Sequence, residues 1–244
     1  KLSFFSKVVY LEKVLSTNSY LKEGDHFDKT LVYTFDQTNG RGRENRKWLN
    51  FKGRNLALSV LFRPNKKVLN FLWYIAINSL ALVDLLERYG LKGSYIKWPN
   101  DIYIDDKKIA GVLAESVWKG DVIDKIIVGI GVNINSSLGD IMEVDKKATS
   151  LLIESNKMVD INEFTNRYIL NLERYFKIFY NDDGVERIKE KWLLKNNIIG
   201  KKVKWIFDGS ESIGVASGLD EDGFLLLKNG NEVIKIISGD IILI

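Results

Sequence analysis

Four cations, two glycines and a tryptophan crowd one short stretch, Gln37-Thr38-Asn39-Gly40-Arg41-Gly42-Arg43-Glu44-Asn45-Arg46-Lys47-Trp48. Planar guanidinium forks such as Arg41, Arg43 and Arg46 grip carboxylate or phosphate oxygens through paired hydrogen bonds. Gly40 and Gly42 let main-chain N–H groups come close to a ligand. The chemistry this composition suits is the holding of an anion, although a solvated basic loop reads the same way. It is not a Walker loop, because no Gly-x4-Gly-Lys-Ser/Thr occurs here.

Other groups could complete such a site. Ser16-Thr17-Asn18 offers hydroxyl and amide groups that either start a helix or hydrogen-bond a small polar ligand head. Tyr95-Ile96-Lys97-Trp98-Pro99-Asn100-Asp101 puts a lysine, an asparagine and an aspartate at strand ends beside a turn, where binding groups tend to be placed. In Lys125–Asn135, Val128, Ile130, Val132 and Ile134 alternate with Gly129, Gly131, Asn133 and Asn135. Two glycines on one face of a buried strand leave space that a neighbouring helix or a ligand must fill. Gly-Ile-Gly-Val-Asn lacks the third glycine of the dinucleotide fingerprint and lies within a strand.

The elements that must carry these groups read as follows. Val8–Val14 and Thr30–Phe35 are strands, with a short helix through Leu21 between them. Asn55–Phe62 alternates, with Leu56, Leu58, Val60 and Phe62 on one face and the small Asn55, Ala57 and Ser59 on the other. Leu69–Tyr89 is apolar on most of its circumference and predicts a buried helix ended by Gly90. Ile102–Ile104 and Lys108–Val117 form a strand pair around Asp105-Asp106. Ser136–Asp160 reads as irregular, with at most a helical turn at Ala148–Ile153. Asn162–Tyr180 and Val185–Lys195 have helical apolar spacing and are expected to cover one face of a sheet. After Gly200, the stretches Lys201–Phe207, Ile213–Leu219, Phe224–Lys228, Glu232–Ile237 and Ile241–Leu243 are short strands between turns, the texture of a small barrel.

Composition bounds the function. The 244 residues suit a sizeable domain plus a small one, and 45% hydrophobic content supports a real core. Thirty-six cations against 32 anions give a net charge of only +4, which argues against a dedicated nucleic-acid binder. With no cysteine and one histidine, His26, thiol chemistry is excluded and a His/Cys metal site is not expected; His26 reads as ordinary surface. Lys1-Leu2-Ser3-Phe4-Phe5 lacks the apolar run and cleavage site of a signal peptide. The run Phe71–Val83 is too short and too polar to span a bilayer. A cytoplasmic location is the expectation.

Taken together, Ser16-Thr17-Asn18, Gln37 followed by Gly40-Arg41-Gly42-Arg43-x-x-Arg46-x-Trp48, Lys97-Trp98-Pro99-Asn100-Asp101, Lys107-Lys108-Ile109-Ala110-Gly111 and Gly129-Ile130-Gly131-Val132-Asn133-x-Asn135 occur in the order found in biotin protein ligases. The chain resembles the form of that family, biotin–[acetyl-CoA-carboxylase] ligase, without an N-terminal winged-helix DNA-binding domain. The resemblance runs from about Val8 to the C-terminal strands, and the combination is specific where Arg-Gly-Arg-x-x-Arg alone is weak. It implies an α/β (α+β) fold: a mixed central sheet with helices packed on one face, a class II synthetase-like catalytic core over 1–197, and an SH3-like barrel over 198–244.

It also implies an activity. ATP would activate biotin as biotinyl-5'-AMP with release of pyrophosphate, and biotin would then pass to one lysine of a biotin carboxyl carrier protein. By resemblance, Ser16, Thr17, Asn18 and Gln37 hold the biotin ring, and Arg41 and Arg43 close over carboxylate and phosphate from a loop that also includes Gly40, Gly42 and Arg46. Lys108 bridges the carboxylate and α-phosphate. Trp48, Asn100 and Asn133 line the adenosine side, and Gly111 and Gly131 leave room for ligand. Asp101 is expected to orient or deprotonate the acceptor lysine, unless it only caps a turn; Lys97 either steers phosphate or pairs structurally. Mg²⁺ is implied through the triphosphate, without assigning Glu115 or any other protein group as a metal ligand. No nucleic-acid or membrane partner is expected, and a homodimer is expected by resemblance only. Asn39 stands where the family commonly has alanine. The competing readings are a lipoate–protein ligase of the same superfamily and a non-enzymatic single-strand nucleic-acid binder, against which the modest net charge counts.

Overall fold

In the computed structural model, residues 4–64, 71–144 and 147–244 are described. In chain order the larger, N-terminal part of the chain contains β1 (Lys7–Tyr10), α1 (Thr17–Glu23), β2 (Thr30–Thr34), β3 (Gly40–Arg41), β4 (Lys47–Trp48), β5 (Asn55–Phe62) and α2 (Leu72–Arg88). It continues through β6 (Tyr95–Lys97), β7 (Asp101–Ile104), β8 (Lys107–Lys119), β9 (Val122–Asn133), α3 (Leu138–Val144), α4 (Leu151–Ser155), α5 (Ile161–Phe179) and α6 (Gly184–Lys195). Then follow β10 (Lys202–Phe207), β11 (Ser210–Leu219), β12 (Leu225–Asn229), β13 (Glu232–Ile236) and β14 (Asp240–Leu243).

Among the described residues the central sheet has seven strands in the order β1-β2-β5-β9-β8-β7-β6. β1 runs parallel to β2 and the remaining neighbours are antiparallel, so the sheet is mixed. Alternation along β5 and β9 sorts side chains between its two faces. Leu56, Leu58, Val60, Phe62, Ile126, Val128, Ile130 and Val132 join the main core with α2, α5 and α6. Each large side chain so buried contributes about 1.5–3 kcal/mol. The opposite face carries the small residues, and the short α1 packs there through Leu21 against Val32, Leu61 and Ile127.

Local chemistry explains most boundaries. Asp160 caps α5 by accepting from the N–H groups of Asn162 and Glu163. Gly90 follows the end of α2 with φ of +94°, a conformation that favours glycine. Asp105 and Asp106, with φ of 45° and 61°, make a tight two-residue connection from β7 to β8.

Three expectations change. The strand expected over Val8–Val14 stops at Tyr10, because exposed Glu12 and Lys13 interrupt the ladder; the chain still follows β2 through Leu11 N–H to Tyr33 and Val14 N–H to Asp36. Ser136–Asp160 is not irregular throughout. Asp140 accepts from the N–H and hydroxyl of Ser137 as α3 begins, and Ser150 accepts from the N–H of Ile153 to start α4; helices this short show no apolar period. The helix expected from Leu69 is described from Leu72, and Leu69 and Asn70 lie outside the described residues.

β10 to β14 make a separate antiparallel sheet in the order β13-β12-β11-β10-β14. It docks on α2, where Trp73 Nε1 donates to the carbonyl of Glu221 at 3.1 Å.

Candidate functional site

The small-residue face of the central sheet forms the floor of a cavity of about 570 Å³. Strand register builds that floor row by row. Ala57 pairs with Gly131, Gly131 with Gly111, and Gly111 with Asp101, so a row of small residues across four strands ends in a carboxylate. The next row runs from Ser59 through Gly129 to Leu113. The space over the glycines is used by side chains. A Cβ on Gly129 would lie 2.1 Å from Asn18 Oδ1, and one on Gly131 would lie 2.3 Å from the Trp48 indole. The fill is therefore a side chain of α1 and the indole of β4.

α1 supplies one polar wall. Ser16 caps the helix, its hydroxyl accepting from the N–H of Ser19 at 3.4 Å. Thr17 N–H donates to Gln37 Oε1 at 2.9 Å, and Ser59 Oγ lies 2.7 Å from Thr17 Oγ1 and 2.6 Å from Asn18 Oδ1. Asn18 Nδ2 donates to Glu115 at 2.8 Å. Lys125, on β9, fixes the far end of the helix by donating to the carbonyls of Lys22 and Gly24.

The arginine loop forms the opposite wall. β3 and β4 pair Gly40 with Trp48 and Arg41 with Lys47 in a two-stranded hairpin. The glycines serve space more than unusual backbone. Gly42 is extended with φ of −110°, and the positive φ of the loop, 54°, belongs to Glu44. A side chain on Gly40 would meet the Trp48 carbonyl at 2.5 Å and Gln37 Nε2 at 2.6 Å. Each arginine is steered by a different neighbour. Arg41 donates to Ser19 Oγ at 3.0 Å and to Glu115 at 3.4 Å, and Arg43 donates to Asn100 Oδ1 at 3.3 Å and Ser238 Oγ at 3.4 Å. Arg46 pairs with Glu44 at 2.8 Å and approaches Asp240 at 3.7 Å.

At the end of the floor Lys108 Nζ stands 2.7 Å from Asp101 Oδ1 and 5.7 Å from the Trp48 ring. The Lys108 backbone is clamped between Lys147 and Thr149, its N–H donating to the former and its carbonyl accepting from the latter. Asn100 and Asn133 are braces. Asn100 Nδ2 donates to the Val112 carbonyl, and Asn133 Nδ2 donates to the Thr149 carbonyl while its oxygen accepts from Asn55. Lys97 Nζ lies 5.1 Å from the Tyr103 ring.

The structure thus brings Ser16, Thr17, Asn18, Gln37, Arg41, Gly42, Arg43, Arg46, Trp48, Lys97, Asn100, Asp101, Lys108, Gly111, Gly131 and Asn133 to one cavity. Gly40 lies behind it, buried between Gln37 and Trp48. His26 is elsewhere, stacked on Tyr20. Asp101 does not cap a turn; it faces Lys108. Sequence reasoning missed three contributors: Ser59, Glu115, and the Ser238–Ile242 edge of the C-terminal sheet, whose Asp240, Ile241 and Ile242 line the cavity. Ser59 had a signal in the small face of β5. The C-terminal edge had none, since nothing local in Ser238-Gly239-Asp240 announces a neighbour almost 200 positions upstream.

Cations outnumber carboxylates along the lining, so the cavity suits an anionic ligand. Among the described residues no group of three His, Cys, Asp or Glu side chains is placed to hold a metal ion. Asp101 faces a lysine and Glu115 an arginine, so these residues do not form a cage for a divalent cation.

Residues 10–133 match the biotin/lipoate A/B protein ligase family and residues 198–244 match the biotin protein ligase C-terminal domain. The biotin–[acetyl-CoA-carboxylase] ligase of Paracoccus denitrificans is 32% identical over 220 residues, covering 83% of this chain and 86% of that protein. The bifunctional ligase/repressor BirA of Escherichia coli is 28% identical over 241 residues, covering 96% of this chain and 73% of that protein. A biotin protein ligase from Aquifex aeolicus, solved with biotin and ATP, superposes with a TM-score of 0.82 at 32% identity, covering 98% of this chain and 99% of that one.

Proposed function

The chain belongs to the biotin/lipoate A/B protein ligase family, and from that premise we propose that it activates biotin with ATP and transfers it to a lysine of a biotin carboxyl carrier protein. The observation that carries the reading is the facing of Lys108 and Asp101, at the end of a glycine floor, by the arginine loop. The match of residues 198–244 to the biotin ligase C-terminal domain favours biotin over lipoate.

The residues divide the work. Biotin's ring lies against Thr17, Asn18 and Gln37, beside the cap at Ser16, and its carboxylate points along the floor toward Lys108. A carboxylate oxygen attacks the α-phosphorus of ATP, and the bond from that phosphorus to pyrophosphate breaks. Lys108, Arg41 and Arg43 stabilise the charge that gathers on the phosphoryl oxygens, and fixed cations at such a position are commonly the largest source of rate. Gly111 and Gly131 keep the path of the carboxylate low on the sheet. Trp48, Asn100 and Asn133 bound the adenosine side; Arg46 and Lys97 face the departing phosphates from its rim. In the second step the acceptor amine attacks the carbonyl carbon of the mixed anhydride, the carbon–oxygen bond to AMP breaks, and Asp101 takes the proton the amine loses.

Mg²⁺ would arrive with the triphosphate and be held by phosphate oxygens, since the described residues offer it no cage. We place the catalytic unit at 1–197 and the C-terminal unit at 198–244. A homodimer is proposed from the resemblance, with the outer strand β1, where Val8 and Tyr10 are exposed, as a surface available for it; sedimentation would read it. Among the described residues no helix is long and apolar enough to cross a membrane.

The test is transfer to an unmodified carrier domain. Labelling of one lysine that needs both biotin and ATP supports the proposal. Absence of labelling with carriers from several sources, by protein that melts cooperatively, would overturn the transfer step.

A further inference from the structure

We infer that Glu115 is a positioning residue that fixes the hydrogen-bond polarity of the α1 wall and anchors Arg41 beside it; the inference rests on the biotin ligase reading above. Glu115 does not line the cavity. It stands behind it on β8, on the floor face, two and four positions beyond Leu113 and Gly111. Its carboxylate receives Asn18 Nδ2 at 2.8 Å and Arg41 Nη2 at 3.4 Å, with Lys22 Nζ at 3.7 Å.

A carboxylate with these cationic neighbours can only accept. Asn18 must therefore turn its amide nitrogen toward Glu115, which assigns an otherwise ambiguous amide, and its Oδ1 must face Ser59. Ser59 has one proton and two partners, Asn18 Oδ1 at 2.6 Å and Thr17 Oγ1 at 2.7 Å. Asn18 Oδ1 cannot donate, so the Ser59 proton goes there; the Thr17 hydroxyl, which also lies 3.3 Å from Gln37 Oε1, gives its one proton to the nearer Ser59 at 2.7 Å. Gln37 Oε1 is then held by the Thr17 N–H at 2.9 Å. Glu115, together with the Leu113 carbonyl that also receives Asn18 Nδ2 at 3.4 Å, thus orients the Asn18 amide and through it the Ser59 and Thr17 hydroxyls. The free lone pairs on Thr17 Oγ1 and Asn18 Oδ1 leave the wall an acceptor for ring N–H groups, which a cyclic urea has and a dithiolane lacks.

The other carboxylate oxygen reaches the arginine loop. Arg41 is held from one side by Ser19 and from the other by Glu115, and both lie beside the ring wall. Ring recognition and closure of the loop over the activated carboxylate therefore share one anchor.

Glu115→Gln and Glu115→Ala separate the two roles. Glutamine can still accept from Asn18 but brings no charge to Arg41; alanine does neither. In biotin-dependent pyrophosphate exchange, Glu115→Ala is expected to raise the KM for biotin about 10–100-fold, the range for losing a hydrogen bond to a charged group, with the KM for ATP unchanged. Glu115→Gln should keep the biotin KM within about threefold of the wild type while releasing more free biotinyl adenylate into solution. Ser59→Ala, which cuts the same relay at its middle, should raise the biotin KM without that release, and it serves where Glu115→Ala does not fold. An unchanged biotin KM in Glu115→Ala, an equal rise in both KM values, or a biotin KM in Glu115→Gln as high as in Glu115→Ala would overturn the inference. Wild-type protein without biotin-dependent exchange would instead overturn the ligase reading on which it rests.

Discussion

Replacing Lys108 by alanine should stop the first half-reaction and leave the fold nearly untouched. The main chain at Lys108 is held independently of the side chain, its N–H 2.7 Å from the Lys147 carbonyl and its carbonyl 2.8 Å from the Thr149 N–H. The Lys108 and Asp101 side chains remain 32% and 24% exposed, so losing their pair costs about 1 kcal/mol or less. In a chain of this size that lowers Tm by only about 2–4 °C. At the reaction centre the same ammonium is asked to stabilise charge as it forms. Removing one such group typically costs about 10²–10³ in rate, or about 2.7–4 kcal/mol. The assay is pyrophosphate release from ATP with saturating biotin, alongside a thermal melt. Asp101→Asn is the control, because it breaks the same ion pair without removing the cation; its release of pyrophosphate should stay within about threefold, while transfer to the carrier falls by 10²-fold or more, the scale of losing a general base. If Lys108→Ala releases pyrophosphate at a near-normal rate, the bridging role is refuted. If Asp101→Asn loses pyrophosphate release as fully as Lys108→Ala, the ion pair and not the lysine carries the effect.

Arg43→Gly frees the loop from Asn100 and from Ser238 of the C-terminal sheet and should let the adenylate escape, read as biotin on bystander lysines; labelling confined to the carrier would sink the clamp assignment. Gly131→Ala places a Cβ 2.3 Å from the Trp48 indole, so it should raise the KM for ATP more than that for biotin, and equal changes would show that the indole does not border the nucleotide. Acid stability should be set away from the site. Burial alone would raise the Asp140 carboxyl, but the N–H and hydroxyl of Ser137 and the Arg54 guanidinium reverse this and hold it below its ordinary value, while the Lys177 ammonium, against opposing burial and aided by the Phe4 N–H, does the same for Glu173. Depressed folded-state values mean stability fully present above the unfolded values and lost as pH falls through the folded ones, so Tm should be level down to about pH 5 and drop below about pH 4. A double variant Asp140→Asn and Glu173→Gln should flatten that drop, and an unchanged acid limb would refute the assignment.

Much of this architecture was legible because burial writes itself into period. The alternation of Asn55–Phe62 and Lys125–Asn135 announced two faces, and the faces proved to be core and cavity floor. The paired glycines at 129 and 131 announced space, though not that Asn18 and Trp48 would fill it. Arg41, Arg43 and Lys108 were legible from residue chemistry together with the family pattern. What escaped were contacts whose partners are distant in sequence and ordinary in type. Glu115 is one acidic residue in a mixed strand until Asn18 arrives from 97 positions away. Ser238 and Asp240 are turn residues until Arg43 and Arg46 reach them. The short helix α3 escaped for a different reason, and α4 was anticipated only as a turn at Ala148–Ile153: both start on local caps, not on an apolar stripe.

On the proposed mechanism, this cavity joins the carboxylate of biotin to the α-phosphate of ATP. Exchange of labelled pyrophosphate into ATP, measured with biotin, with lipoate and with neither, tests it most directly. Exchange that requires biotin and is at background with lipoate is the predicted result. Exchange driven by lipoate, or none with either by folded protein, would contradict it.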